Sequence, residues 1–455
     1  MTASIARDGT RTLSPAGHMR RFFDSPLEML AESPSQGDLV RWRFGPFRVF
    51  AANSPEVIHD VLVANAASYY KSSSTKAVMA PLLGNGLFVN DGDSWRTQRK
   101  LVSPAFHHKR IAAYADLMVD YAQSVGKMWQ DGAEIDLEQF MTDYTIHVVS
   151  KSLFDAEVSG QETELREVIE QVLRSVDERL MTLFPTPMWV PSAKIRRYKA
   201  AIARLDELIY QIIADRRAGK TSGQNITDKG DALSMLLLSQ DEQGSGMTDK
   251  QVRDEVMTLF GAGHETTSRA LTWTWYLLSQ NPEVEQRFHD ELQAVLGGRT
   301  PTLEDLAQLT YTEQIVKESM RLYPPAWVTT RQAHQDTTLG GEPVKKNNVV
   351  IINIWGVHHN PNLYPDPWAF KPERFTPEFE KSLPKSAYLP FGNGPRVCIG
   401  NAFAMMEAKI ALAVLGQRFK LSLKPGHPVE PQDMFTLRPK YGMQMHVTVR
   451  QPELA

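Results

Sequence analysis

Phe391-Gly392-Asn393-Gly394-Pro395-Arg396-Val397-Cys398-Ile399-Gly400 holds the single cysteine of the chain, between a turn-rich approach and an apolar run. Downstream, Phe403, Met406, Ile410, Leu412, Val414 and Leu415 recur near the helical period, so the spacing predicts a helix over Asn401–Phe419. Cys398 therefore stands at or just before a helix N-terminus. Unpaired backbone N–H groups and the positive end of the helix dipole stabilise a thiolate there, and can lower a thiol pKa from about 8.5 by units. Gly392, Gly394 and Gly400 allow close approach to a flat partner or positive φ. A lone cysteine is ordinarily a small buried hydrophobe; the flanking loop is what argues otherwise.

Those residues resemble the haem-binding loop of the cytochrome P450 family, in which the cysteine is the axial thiolate of the iron. The phenylalanine, the glycine after it, the glycine two before the arginine, the cysteine and the final glycine all match. The resemblance implies the family's fold: mainly α-helical with small β-sheets, and a b-type haem between a long central helix and the cysteine loop. Phe391 would pack beside the ligand, and Gly400 would complete the cofactor-binding loop.

Composition sets outer bounds. The chain has 455 residues, 42% hydrophobic and 23% charged, with a net charge of −3, a balance that suits a globular protein and no general nucleic-acid binder. One cysteine allows no internal disulfide, which suits a reducing cytoplasm, and no second cysteine or paired histidine motif points to zinc. No run of 18 apolar residues occurs, so no transmembrane anchor is expected. Residues 1–34 read as a polar leader and 35–455 as a single catalytic domain, expected to be cytoplasmic and a monomer.

Along the chain, Leu39–Phe50 alternates around Gly45-Pro46 and predicts a β-hairpin. Pro55–Ala67 reads as helix, and Lys71–Asn90 as a long loop and candidate substrate lid. A helical stretch over Asp93–Arg110 puts Trp95 and Arg99 on one face. By resemblance this pair donates to a haem propionate, chemistry that an indole N–H and a guanidinium suit; taken alone it is a basic face with a packed tryptophan. From Ala115 to Arg216 the pattern is helical, apart from Phe184–Pro191, where three prolines preclude a helix. That apolar loop, followed by Lys194, Arg196, Arg197 and Lys199, reads as an interhelical connection with an exposed basic turn, the alternatives being the border of a lipophilic substrate entrance or a contact with a membrane surface.

A second landmark is the helix expected over Thr248–Gln280. Gly261-Ala262-Gly263-His264-Glu265-Thr266-Thr267 places two helix-weakening glycines, a carboxylate and two hydroxyls in its apolar middle. A packing kink would account for the glycines. The stretch also matches the family's oxygen-activation motif, which implies Thr266 as the alcohol and Glu265 as the acid of a proton-delivery pair. Cleaving dioxygen needs protons, and a hydroxyl holding ordered water, replenished by a carboxylate, supplies them without flooding the site.

Glu318 and Arg321 stand three apart in the helix predicted over Thr312–Tyr323, ordinarily a surface pair. Here they match the family's Glu-x-x-Arg motif, and Arg374 in Pro372-Glu373-Arg374-Phe375 supplies the third member of a buried structural triad. Strands follow over Val328–Ile352, where Arg331 occupies the position of another propionate donor; Arg396 is a further one. Tyr441–Val449 reads as a closing strand. Leu87, Phe88, Met181, Ala262, Ala326, Val328 and Phe435 are apolar candidates for the substrate pocket.

Jointly the motifs imply a haem-thiolate monooxygenase that inserts one oxygen atom of O2 into a lipophilic substrate by hydroxylation or epoxidation. With no flavin or nucleotide motif in the chain, electrons would come from NAD(P)H through a separate ferredoxin or flavodoxin and its reductase. Fatty acids, terpenoids and steroids all suit an apolar pocket, with fatty acids slightly preferred by analogy at branch level. A peroxygenase or a non-catalytic haem sensor would not need the acid–alcohol pair.

Overall fold

The computed structural model describes residues 15–155, 162–180, 182, 185–218, 230–240 and 244–450. Among these residues helices dominate, accompanied by four small sheets. The chain divides into two compact units, one formed by Met1–Lys76, Lys317–Cys398 and Pro431–Arg438, the other by Ala77–Val316, Ile399–Glu430 and Pro439–Ala455.

The first unit is built on a five-stranded sheet, in the order Leu39–Phe44, Phe47–Ala52, Val349–Ile352, Thr329–Ala333 and Tyr69–Tyr70. The expected hairpin is its edge, pairing Trp42 with Val49 and Phe44 with Phe47 around a left-handed Gly45. Val49–Ala52 then pairs in parallel with Val349–Ile352, joining segments some three hundred residues apart. Phe50, Val57, Ile58, Val61, Leu62, Val350, Ile352 and Leu389 form the core of this sheet.

The stretch expected to be a polar leader is helical from Pro15, with helices Pro15–Asp24 and Pro26–Gln36. Its physical reason is a buried amide junction. Asn353 Nδ2 donates to Leu30 O and Asn53 Oδ1, both at 2.8 Å, while Asn53 Nδ2 donates to Gly37 O at 2.9 Å. Met29 and Leu30 are buried behind it.

In the second unit, the helix Asp249–Gln280 has 32 residues and a length of about 48 Å. Thr248 caps it, its hydroxyl accepting from Gln251 N while the Gln251 side chain accepts from Thr248 N. The helix Leu137–Phe154 packs across it, closely enough that a Cβ on Gly263 would stand 2.9 Å from Val149 Cγ2. Helices Ala115–Met128 and Asn401–Arg418 pack together, and a three-stranded sheet orders Glu134–Asp136, Gln444–Val449 and Phe419–Leu423.

Two further expectations are corrected. Lys71–Asn90 is not a continuous loop, because Ser73–Leu83 is a helix burying Val78, Met79, Leu82 and Leu83, with the Ser72 hydroxyl accepting from Thr75 N. Asp93–Arg110 is not one helix: Gly92–Val102 ends before Pro104, a tight turn spans Ser103–Phe106, and His108–Ala112 resumes. Among the described residues no helix is long and apolar enough to cross a membrane.

Candidate active site

In the first unit, the cysteine loop is held by its own backbone. Cys398 N donates to Phe391 O at 2.9 Å, Gly392 N to Leu389 O at 3.0 Å and Val397 N to Gly394 O at 3.0 Å. Asn393 Nδ2 reaches Ser386 Oγ at 2.8 Å. Gly394 is required at its position: φ is +72°, and a Cβ there would lie 1.9 Å from Leu62 O. The loop is thus pressed onto the wide helical turn Asp60–Ala64. So constrained, it leaves Cys398 exposed, an unusual state for a lone cysteine.

Arg331 is 7% exposed in the central part of the sheet; its Nη1 donates to Thr330 O at 2.9 Å and Thr329 Oγ1 at 3.3 Å. Arg396 and Phe391 are half-buried in the loop. Ala326 and Val328 come together with Phe435, because Trp327 Nε1 donates to Met434 O at 2.9 Å and Leu437 N to Pro325 O at 3.0 Å. All three are half-buried.

Glu318, Arg321 and Arg374 also meet in this unit. Arg321 Nε and Nη2 bind Glu318 Oε2 and Oε1 at 2.7 and 2.8 Å, and Arg374 Nε binds Glu318 Oε1 at 3.0 Å. Arg321 spends its remaining donors on His358 O, Pro367 O and Ala369 O, and stacks over Tyr364. Glu318 and Arg321 are 0% exposed. A buried pair survives only when every lone pair and proton is used. Beside it, His358 Nε2 accepts from Leu389 N at 2.9 Å, two residues before Phe391. Burial, with His359 and Arg321 nearby, drives the His358 pKa well down, so the ring is neutral.

In the second unit, the long helix is buried along Val252–Leu259 and again from His264 and Glu265 onward, but its middle opens. Ala262 is exposed, Gly261, Gly263 and Thr266 are half-buried, and a Cβ added to Gly261 would meet nothing within 4 Å. The two glycines therefore do different work: Gly263 admits a neighbouring helix and Gly261 leaves space. Thr266 Oγ1 donates to Ala262 O at 2.8 Å, which leaves its oxygen free to accept on the open face. Glu265 is 5% exposed. His264 Nδ1 lies 2.8 Å from Phe260 O, and burial lowers its pKa.

Trp95 is buried and Arg99 half-buried on one face of the helix Gly92–Val102. Gly400 precedes the helix Asn401–Arg418, its carbonyl accepting from Ala404 N at 2.9 Å. Leu87 is buried and Phe88 half-buried. Met181, and Phe184 of the proline-rich loop, lie outside the described residues.

These residues fit a haem. The described residues contain no group of three or more His, Cys, Asp or Glu side chains able to hold a metal, so a metal bound at Cys398 must bring its other ligands with it. Porphyrin does so. Arginine and tryptophan N–H groups suit its two carboxylates, and the space at Gly261, where an added Cβ would meet nothing within 4 Å, leaves room for a small ligand.

Similarities with known proteins point the same way. The cytochrome P450 family model matches residues 18–447. Cyclooctatin synthase of Streptomyces melanosporofaciens is 38% identical, with 93% of this chain and 91% of that protein aligned. Cyclooctat-9-en-7-ol 5-monooxygenase of the same organism is 36% identical over 90% of this chain and 88% of that protein. Among solved structures, the crystal structure of the cytochrome P450DA heme domain superposes with a TM-score of 0.85 at 26% identity, covering 96% of each chain. The chain belongs to the cytochrome P450 family of haem-dependent monooxygenases.

Proposed function

We propose that this chain oxygenates a cyclic terpenoid, by hydroxylation or epoxidation, with Cys398 as the thiolate ligand of haem b. The observation that carries the reading is the open face of an otherwise buried helix at Gly261, Ala262 and Thr266, with Glu265 beside it. Haem bound through a thiolate supplies dioxygen activation, since sulfur donation favours O–O cleavage. The chain's own residues supply the rest. Thr266 Oγ1, anchored as a donor to Ala262 O, accepts a hydrogen bond from an ordered water, and Glu265 restores the proton that water passes on. By family resemblance Arg331 and Arg396 would be propionate donors, and so would Trp95 and Arg99, since their N–H groups suit carboxylates.

For the substrate, two relatives named for cyclooctatin chemistry favour a cyclic terpenoid over a fatty acid. Leu87 and Phe88 beside the long helix, Ala262 on it, and Ala326, Val328 and Phe435 beside the sheet, are apolar, which suits a terpenoid skeleton. Electrons come from NAD(P)H through a separate ferredoxin or flavodoxin and its reductase, in the cytoplasm.

The test is a titration of the holoenzyme with cyclic diterpenes, sesquiterpenes, steroids and fatty acids, read by the substrate-induced Soret shift. Turnover of the binders follows, with NADPH and surrogate ferredoxin or flavodoxin partners. A product from a cyclic terpenoid under these conditions supports the reading. Fatty acids alone binding and turning over would overturn the substrate class, and product only with added hydrogen peroxide would make the enzyme a peroxygenase.

A further inference from the structure

The segment Gly84–Phe88, between helices Ser73–Leu83 and Gly92–Val102, is fastened to the N-terminal half of the long helix by two adjacent buried acidic side chains. Asp254 is 2% exposed, and its Oδ2 accepts from Asn85 N at 2.9 Å and from Lys250 Nζ at 2.7 Å. Its Oδ1 accepts from Arg253 Nη1 at 3.0 Å, while Arg253 Nε is anchored to Asp206 at 2.6 Å. Glu255 is 0% exposed, and its Oε2 accepts from Leu87 N at 3.2 Å. From the other side, Gln98 Nε2 donates to Asn85 O at 3.0 Å, and Gln98 Oε1 accepts from Asn90 Nδ2 at 2.7 Å.

Backbone shape is committed to the same contact. Gly84 has φ +55°, and a Cβ on it would lie 2.1 Å from the Asp254 carboxyl. At Gly86 a Cβ would lie 2.1 Å from Thr258 Oγ1 and 2.5 Å from Asp254 O. Two glycines thus let the main chain reach the helix, and two acids meet the N–H groups it brings. Burying a carboxyl is costly unless it is hydrogen-bonded or neutral. Asp254 has cations and an N–H donor; burial, against the Leu87 N–H and Gln98, pushes the Glu255 pKa up to about 8, so at neutrality it is mostly a carboxylic acid. In either protonation state it can accept from Leu87 N.

Leu87 and Phe88 follow directly from the pinned amides. We propose that Asp254 and Glu255 are positioning residues for substrate selectivity: by gripping the Asn85 and Leu87 N–H groups they fix where the Leu87 and Phe88 side chains stand. This rests on the reading of Leu87 and Phe88 as pocket residues. Neither acid touches the reacting atoms.

The holoenzyme distinguishes the two layers. Glu255→Met removes the acceptor at similar volume, and Glu255→Gln retains a carbonyl acceptor for Leu87 N. Backbone hydrogen exchange over residues 84–90 reads the grip, and Soret titrations with imidazole and 4-phenylimidazole read selectivity as a ratio of affinities. Glu255→Met should speed exchange of this segment and shift the ratio by about fivefold, the worth of one hydrogen bond, with imidazole affinity kept and Glu255→Gln close to wild type. Should Glu255→Met fail to hold haem, Gly86→Ala displaces the segment with both acids intact and should shift exchange and ratio alike. Phe88→Ala checks the underlying reading. If it leaves the ratio unchanged, Phe88 does not line the pocket; if it moves the ratio while Glu255→Met or Gly86→Ala does not, the positioning role alone is wrong. Failure of Glu255→Gln to restore the grip would also overturn it.

Discussion

Two helices of this protein carry polar side chains in apolar surroundings, and they treat them in opposite ways. In the helix Thr310–Leu322, Glu318 and Arg321 are 0% exposed, and the guanidinium is saturated by one carboxylate and three carbonyls. In the helix Asp249–Gln280, Thr266 turns its proton back to Ala262 O and keeps its oxygen toward an open face. A closed polar network has no bond left to offer a substrate and can only hold structure. An interrupted, half-exposed one spends stability to keep a group available. Sequence spacing alone makes both look like ordinary helical pairs; the disposition of the remaining lone pairs separates them.

If that contrast is right, the largest effect falls on the closed network. Arg321→Ala leaves the buried Glu318 with Arg374 as its one remaining cationic partner and Oε2 without the donor Arg321 gave it, and should cost about 3–5 kcal/mol, read as a lower denaturation midpoint and poor haem retention. A loss below about 1 kcal/mol would mean that the triad is not closed as described.

A smaller effect concerns pH around the same network. Burial lowers the His359 pKa to about 3, and His358 is also held down by burial, next to Arg321. Both are neutral in the fold but take up protons near pH 6.5 when unfolded. Their contribution is therefore complete above about pH 6.5 and is lost as pH falls toward the folded values. Thermal midpoints should drop between pH 7 and pH 5, with early loss of protection at the Leu389 amide, which donates to His358 Nε2. A midpoint flat over that range would contradict the neutral assignment.

The smallest stability effect belongs to the open face. Thr266→Ala should change stability by no more than about 0.5 kcal/mol, and should leave NADPH consumption running while diverting electrons to hydrogen peroxide. Coupling equal to wild type would remove Thr266 from proton delivery.

Much of this is legible in the amino-acid sequence. The cysteine loop, the long helix with its capping threonine and the hairpin at Leu39–Phe50 follow from local patterns, because turn residues and periodicity act over a few positions. Arg374, a distant partner of Glu318, came from family resemblance and not from spacing. What local pattern could not reach were contacts between remote segments. Asp254 and Glu255 carry no local signal of burial, and the Asn85 and Leu87 N–H groups that reach them come from a segment about 170 residues away. Ser73–Leu83 was hidden by its serines and Pro81, since its helix is favoured by burying Val78, Met79, Leu82 and Leu83. The order of residues 15–34 rests likewise on a remote contact, since Asn353 Nδ2 donates to Leu30 O.

Cys398, exposed in an otherwise fastened loop, is the residue we propose as the thiolate ligand of the haem iron. The reduced carbon monoxide difference spectrum tests it most directly. Wild type should give the red-shifted Soret band of a thiolate-ligated haem, and Cys398→Ala should lose that band while Thr266→Ala retains it. A Cys398→Ala protein with the wild-type spectrum would contradict the account.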